Sequence, residues 1–127
     1  MERNETMNMP VLALRGLAIF PGCMLSFDVE REISIRALER AMERDQYIFL
    51  AAQRETSTDQ PGEQDLYSVG TMSVIRQILR IGDAGVRVIM EGKGRAKLRR
   101  LWQTEPYLQG NVEPIREMKA RVSDFHL

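Results

Sequence analysis

Short apolar runs recur at close intervals along this chain and predict a mostly β domain. Residues 11–15 and 24–28 form two such runs, each too short for an independent helix and each bounded by Pro or Gly. Between them, Phe20, Pro21 and Gly22 predict a turn, because Pro21 has a fixed φ and Gly22 tolerates a positive φ. We therefore expect an opening pair of strands on which the rest of the chain packs.

Helical periodicity follows the second strand, over residues 30–44. Ile33, Ala37 and Ala41 recur at the spacing of an amphipathic helix. Asp28 precedes this stripe and is the predicted N-cap, since its carboxylate accepts hydrogen bonds from free backbone amides. The pattern thus predicts one helix inserted after the second strand.

Strand patterns resume after the helix. An apolar run at residues 47–52 predicts a strand buried on both faces. The alternation within residues 71–81 slips in phase, which predicts either a β-bulge or a strand that leaves one sheet for another. A hairpin turn is predicted at residues 82–85. Further strands are predicted at residues 86–91, 96–102 and 107–114, with a break at Gly92-Lys93-Gly94 between the first two. Six or seven short strands and one helix indicate a barrel-like or folded sheet.

The two ends of the chain depart from this pattern. Residues 1–8 are polar and lack periodicity, and they predict a flexible tail. Helical spacing returns at the other end, where residues 116–127 predict the start of a helical linker to a downstream region. The folded domain is therefore expected over residues 9–115.

Three segments near the start of the chain carry a family resemblance. They read PVLALRG at residues 10–16, FPG at residues 20–22 and REISIRALERAM at residues 31–42. In this order they resemble the amino-terminal domain of the ATP-dependent Lon proteases of bacteria. Shorter segments continue the resemblance, among them DLY at residues 65–67 and QTEPY at residues 103–107. Because each piece is an element boundary and none is a catalytic signature, the match depends on their order and spacing.

The resemblance implies a fold and a function. The fold is a PUA-like pseudo-barrel of about six strands with one helix inserted after the second strand. The function is a non-catalytic module for substrate recognition and assembly, in a protease whose ATPase and serine protease lie further along the polypeptide. The partners would then be unfolded or damaged client proteins and the other subunits of a homohexamer. The family uses ATP and Mg in its ATPase domain, so no cofactor is expected in this segment.

Composition limits the classes of partner and compartment. Eighteen basic and eighteen acidic residues cancel among 127, so no net field attracts nucleic acid or an anionic membrane. The single Cys23 cannot form an internal disulfide, and no apolar stretch reaches the roughly 20 residues needed to span a bilayer. The polar start MERNET is not a signal peptide. We therefore expect a cytoplasmic protein without a membrane partner.

Catalytic chemistry is not expected in this segment. His126 is the only histidine and lies next to the last residue, so a Ser-His-acid triad, a Cys-His pair or a zinc site cannot be assembled within the fold. The sequence Gly92-Lys93-Gly94 lacks the spacing of a phosphate-binding loop. A binding role is therefore favoured over an enzymatic one.

Two groups of residues are candidates for contact with a client polypeptide. Leu17, Ile19 and Phe20 are large apolar residues for a connection, and they either bind a client or pack on the core. Arg31 and Glu32 begin the predicted helix beside the strand pair, where Glu32 would also complement the helix dipole. Of this charged pair, we expect Arg31 to be the stronger contact.

A basic segment at residues 87–100 supports an alternative function, RNA binding by a PUA-like module. It contains six basic residues and one acidic residue, and Arg99 and Arg100 at its end complete the candidate sites. Side chains on one face of such a strand pair could contact phosphates. They could equally form the solvated outer face of an antiparallel strand. The balanced net charge and the lack of interleaved aromatic residues favour the solvated face, so nucleic acid is not the expected partner.

Overall fold

The computed structural model describes residues 6–16, 19–83 and 85–115. Within these ranges the chain forms six strands, one α-helix and a short 3₁₀ turn at Glu63–Asp65. In chain order the longer elements are β1 (Met7–Leu14), β2 (Met24–Val29), α1 (Glu32–Glu43), β3 (Tyr47–Ala52), β4 (Val69–Ile81), β5 (Gly85–Gln103) and β6 (Leu108–Pro114). The predicted mostly β domain of about six strands, with one helix after the second strand, is confirmed.

The six strands form one sheet that closes on itself. From the open edge their order is β2-β5-β4-β3-β1-β6, and β6 also pairs with β5. The strands β1, β3, β4, β5 and β6 therefore form a closed ring, and β2 is attached outside it. The β1–β3 pair is parallel, whereas the other described pairs are antiparallel.

The long strand β5 belongs to both parts of this sheet. Its first part pairs with β2, from Val86 to Glu91, and its last part pairs with β6. The predicted break at Gly92-Lys93-Gly94 is wrong, because β5 continues through these residues with Gly92 opposite Ser73 of β4. Gly92 is needed because the Phe20 carbonyl, distant in sequence, approaches it closely.

The predicted irregularity of β4 is confirmed. Its register with β5 shifts between Met72 and Ser73 and again between Ile75 and Gln77. Pairing of β4 with β3 ends at Val74, between these two shifts. Beyond that point β4 continues with β5 and β2 as a three-stranded extension of the ring.

The helix packs on the sheet through a narrow apolar stripe. Ala37, Leu38 and Ala41 are almost fully buried, and the main contact of α1 is with β1. Asp28 is not the N-cap, because it lies within β2 and its carboxylate accepts a hydrogen bond from Arg87 at 2.8 Å. Arg31 occupies the N-cap position without a capping side-chain hydrogen bond. The start of α1 is thereby placed beside the end of β1.

The first strand begins earlier than predicted. Met7 and Asn8 lie opposite Val112 and Asn111 of β6. These two residues belong to the sheet and not to the predicted tail, because antiparallel pairing with β6 continues through them. Residues 1–5 of the predicted tail lie outside the described residues, and so does the predicted linker at residues 116–127. The helix α1, the only one in the described ranges, is too short and too polar to cross a bilayer.

Candidate functional site

The turn between β1 and β2 is fastened to the sheet. The Thr71 hydroxyl donates a hydrogen bond to the Ile19 carbonyl at 2.7 Å. The Gly22 amide donates to the Gly92 carbonyl at 2.8 Å. Gly92 is required for this close approach, because a Cβ there would lie 2.4 Å from the Phe20 carbonyl oxygen. The turn is therefore held in one place against β4 and β5.

Two neighbouring apolar residues of this turn have different environments. The Ile19 side chain is 5% exposed and packs in the core with Leu14 and Leu50. The Phe20 side chain is 57% exposed. Ile19 therefore packs on the core, and its prediction as a client contact is wrong. Leu17, the third residue predicted here, lies outside the described residues.

Phe20 borders a shallow depression that it shares with β4. The depression has a volume of about 150 Å³, and Val69 and Arg95 also line it. Val69 is 42% exposed at the start of β4. Met24, the second residue after the turn, is 58% exposed. We call Phe20 and Val69 the apolar patch, because both line this depression and each leaves a large apolar side chain in contact with solvent.

A larger, polar cavity lies where α1 begins. Its volume is about 610 Å³. Arg15 from the end of β1, Arg31 and Glu32 from the helix start, Asp59 from the loop after β3 and Glu105 from the β5–β6 connection line it. We call this cavity the charged cleft. Because it contains side chains of both signs, it has no single electrostatic preference for a ligand.

Arg31 has a structural role in this cleft. Its Nη2 donates to the Ala13 carbonyl at 2.8 Å and its Nη1 donates to the Asp59 carbonyl at 3.3 Å. Burial lowers the pKa of Arg31 below its usual value, and the positive charge of Arg15 adds to this effect. The guanidinium thus ties β1 to the loop after β3. A contact of Arg31 with a client stays a prediction.

Glu32 is more available to solvent than Arg31. Its side chain is 76% exposed, and its carboxylate accepts a hydrogen bond from Arg36 one helical turn away at 2.7 Å. Its place in the first turn also complements the helix dipole. These contacts explain the position of Glu32 without a bound ligand. A contact of Glu32 with a client stays a prediction.

Gln53 shapes the loop beside the cleft and was missed by sequence reasoning. It is 4% exposed, and its Nε2 donates to the Glu55 and Thr58 carbonyls at 3.0 Å each. The loop is also held by Arg15, whose guanidinium lies 2.9 Å from the Asp59 carboxylate. A polar residue directly after the apolar run of β3 was the available signal.

Arg99 and Arg100 lie on β5 and line neither the depression nor the charged cleft. Arg99 lies 3.5 Å from the Glu113 carboxylate of β6. Elsewhere on β5, the hydrogen bond from Arg87 to Asp28 lowers the pKa of Asp28 and raises that of Arg87. These ion pairs neutralise charges that phosphate binding would need. The predicted site residues therefore occupy three separate places and do not form one site.

The described residues offer no evident reactive centre. No three His, Cys, Asp or Glu side chains within the described ranges are placed to hold a metal ion. Cys23 is exposed as a free thiol, and His126 lies outside those ranges. What the described surface can provide is apolar contact at the patch and hydrogen bonding along exposed backbone.

A family model matches nearly the whole chain. It is the model of the ATP-dependent protease La (LON) substrate-binding domain, and it matches residues 8–124.

Curated relatives carry the same family name. The Lon protease of Clostridioides difficile is 42% identical over 118 residues, which cover 91% of this chain and 15% of that protein. The Lon protease of Erwinia amylovora is 48% identical over 112 residues, which cover 88% of this chain and 14% of that protein. The Escherichia coli Lon protease is 42% identical over the same shares of each chain. The chain thus spans about one seventh of the length of these relatives.

Two solved structures share the fold. The N-terminal domain of Mycobacterium avium complex Lon protease has a TM-score of 0.70 at 20% identity, covering 88% of this chain and 56% of that one. The Lon N-terminal domain protein from Xanthomonas campestris has a TM-score of 0.65 at 14% identity, covering 87% of this chain and 60% of that one.

Proposed function

The chain belongs to the family of substrate-binding domains of ATP-dependent Lon proteases, and we propose that it binds unfolded or damaged proteins through the apolar patch. The observation that carries this proposal is Phe20, whose side chain is 57% exposed on a turn that is fastened to the sheet. A mobile loop could fold such a side chain inward. A fastened turn keeps it available to a ligand.

The chemistry of the patch suits ligands of variable sequence. Unfolded and damaged proteins expose apolar side chains that folded proteins bury. The phenyl ring of Phe20 can pack against many different apolar groups. The patch contains only two exposed side chains, so each domain would bind its client weakly.

For the longer protein, we propose an ATP-dependent serine endopeptidase that acts in protein quality control in the cytoplasm. Its other segments would supply the ATPase, with ATP and Mg as cofactors, and the protease. In a homohexamer, several copies of this domain would contact one client, and their combined effect would raise a weak affinity by avidity. The PUA-like classification of the fold belongs to the same proposal and is supported by the closed ring of five strands.

RNA binding is not proposed as a second function. Arg87 and Arg99 are engaged by carboxylates of neighbouring strands. Lys93 lies 3.7 Å from the Glu91 carboxylate. No specific observation favours a phosphate ligand over this internal pairing.

Substitution of Phe20 tests the proposed function. The binding of reduced, carboxymethylated α-lactalbumin, a permanently unfolded protein, is measured by NMR titration of the 127-residue chain. We expect Phe20→Ser to weaken binding several-fold, because it removes the larger of the two apolar side chains of the patch. Leu79→Ser is the matched control, since Leu79 is 46% exposed on β4 and lies outside the patch. Equal effects of the two substitutions, or no binding by the unaltered chain, would contradict the proposal.

A further inference from the structure

The strand β2 forms an open edge of the sheet. It pairs with β5 on one side, and among the described strands none pairs with its other side. The Gly92 amide donates to the Cys23 carbonyl at 2.8 Å, so that carbonyl faces β5. Backbone groups of successive strand residues point to alternate sides. The N–H and C=O groups of Met24, Ser26 and Asp28 therefore point away from β5.

This edge lacks the features that usually block strand addition. Exposed edges are normally protected by Lys or Pro residues, by bulges or by very short length. β2 is six residues long and contains neither Lys nor Pro. Its register with β5 is continuous from Met24 to Val29. Its one charged residue, Asp28, is neutralised by Arg87 of the neighbouring strand. Three residues thus offer unblocked backbone donors and acceptors.

The open edge adjoins a groove that can receive side chains. The groove has a volume of about 300 Å³ and separates β2 from the end of β1. Phe27 and Val29 line it from β2, and Leu12 and Leu14 line it from β1. Pairing of β1 with β6 ends at Val11, so no strand covers the end of β1 on that side.

The β1 side of the groove is already occupied by a side chain. The Gln53 backbone N–H donates to the Leu14 carbonyl, so that carbonyl faces β3. By alternation the Ala13 carbonyl faces the opposite side, where the Arg31 guanidinium donates to it at 2.8 Å. Arg31 therefore caps the edge of β1, and β2 is the side of the groove whose backbone is left to pair with a ligand.

We propose that β2 binds an extended segment of an unfolded polypeptide by strand addition. The backbone of the segment pairs with Met24, Ser26 and Asp28, and alternate side chains of the segment enter the groove. The identity of the ligand rests on the proposed function. Backbone pairing suits such a ligand because the main-chain donors and acceptors are the same for every client sequence. Met24, at the start of this edge, also leaves a large apolar side chain exposed.

Amide hydrogen exchange of the 127-residue chain, free and saturated with carboxymethylated α-lactalbumin, tests this inference. In the free chain, the Met24, Ser26 and Asp28 amides exchange rapidly, whereas the Leu25 and Phe27 amides are protected by β5. With the polypeptide bound, exchange at the Met24, Ser26 and Asp28 amides slows by about tenfold or more, as expected for amides that are hydrogen-bonded to a neighbouring strand.

Each other outcome has a distinct meaning. Binding without slower exchange at these three amides overturns strand addition and leaves the proposed function intact. Absence of binding overturns the proposed function itself. Protection of the three amides in the free chain that increases with its concentration identifies a second copy as the occupant and also overturns the proposal.

Two matched comparisons separate backbone pairing from side-chain contact. Ser26→Pro removes an outward N–H, whereas Ser26→Ala keeps it, and the proline variant should bind about tenfold more weakly than the alanine variant. The ligand gives a second test that does not alter the fold. A ten-residue apolar peptide is N-methylated at alternate residues in either of the two phases. One phase should lose binding, and equal binding of both phases and the parent peptide would overturn the proposal.

Discussion

The Arg31 guanidinium donates a 2.8 Å hydrogen bond to the Ala13 carbonyl, and this contact joins the start of α1 to the end of β1. Beyond Val11, β1 has no strand partner on the β6 side. Arg31 supplies there the donor that another strand would supply, and it also reaches the Asp59 carbonyl. One side chain thus stabilises a strand edge and positions a loop of the charged cleft.

Loss of this guanidinium should destabilise the domain. In Arg31→Met the Ala13 carbonyl, in a part-buried position, loses its donor. We expect the free energy of unfolding to fall by about 1–3 kcal/mol, the cost of an unsatisfied buried acceptor. Urea denaturation measures the change. Arg36→Met is the control, since Arg36 forms an exposed ion pair with Glu32 and should change stability by less than about 1 kcal/mol. Similar losses in both variants would show that Arg31 has no special structural role.

Substitution of two nearby glycines by alanine should change the stability of the domain to different extents. A Cβ at Gly92 would lie 2.4 Å from the Phe20 carbonyl oxygen, whereas a Cβ at Gly94 would have no neighbour within 4 Å. Gly92→Ala should therefore displace the turn and lower stability by about 1–3 kcal/mol. Gly94→Ala should be neutral or slightly stabilising, because it reduces the entropy of the unfolded chain. Thermal unfolding and the NMR signals of Phe20 report the two effects. A Gly92→Ala variant as stable as the Gly94→Ala variant would contradict the fastened turn.

Patterns set by neighbouring residues predicted much of the fold. The apolar run of β3 and the phase slip of β4 were readable because strand length and alternation are local properties. The break predicted at Gly92-Lys93-Gly94 failed for a different reason. Gly92 accommodates a carbonyl from the turn at Phe20, and sequence pattern alone does not encode that distant contact.

The candidate site was less predictable than the fold. Asp28 resembled an N-cap, but its partner Arg87 is 59 residues away and only the register of β2 with β5 brings them together. Ile19 and Phe20 are adjacent and similarly apolar, so sequence could not decide which one enters the core. The tie from Arg31 to Ala13 likewise depends on how α1 packs against β1.

The ion pair between Asp28 and Arg87 should be visible in a pH titration. The hydrogen bond from Arg87 lowers the pKa of Asp28 below its ordinary value of about 3.9. A lowered carboxyl pKa contributes stability above the unfolded-state pKa, and that stability is lost as the pH falls through the folded-state pKa. We expect the melting temperature to fall as the pH drops below about 4, and Asp28→Asn should flatten this dependence.

Carboxyl carbon chemical shifts, followed during the pH titration, show which arginine lowers the pKa of each carboxylate. Arg87→Met should raise the pKa of Asp28 toward its ordinary value and leave the pKa of Glu91 unchanged. Arg76→Met should instead raise the pKa of Glu91, because a hydrogen bond from Arg76 is the main cause of its lowered pKa. If either substitution moved both carboxyl groups equally, the two ion pairs would not be independent.

Salt concentration should distinguish apolar client binding from phosphate binding. Within the described residues, Arg95, Lys97 and Arg100 are the basic side chains of the segment 87–100 that form no ion pair. If these three contacted phosphates of single-stranded RNA, raising the salt from about 50 mM to about 300 mM would weaken binding by about 40-fold. Apolar contact with an unfolded polypeptide should change little or strengthen over the same range. We therefore expect the dissociation constant for carboxymethylated α-lactalbumin to vary by less than about threefold, measured by NMR titration at both salt concentrations. A steep loss of affinity that became less steep in Arg100→Gln would instead assign binding to the basic face of β5.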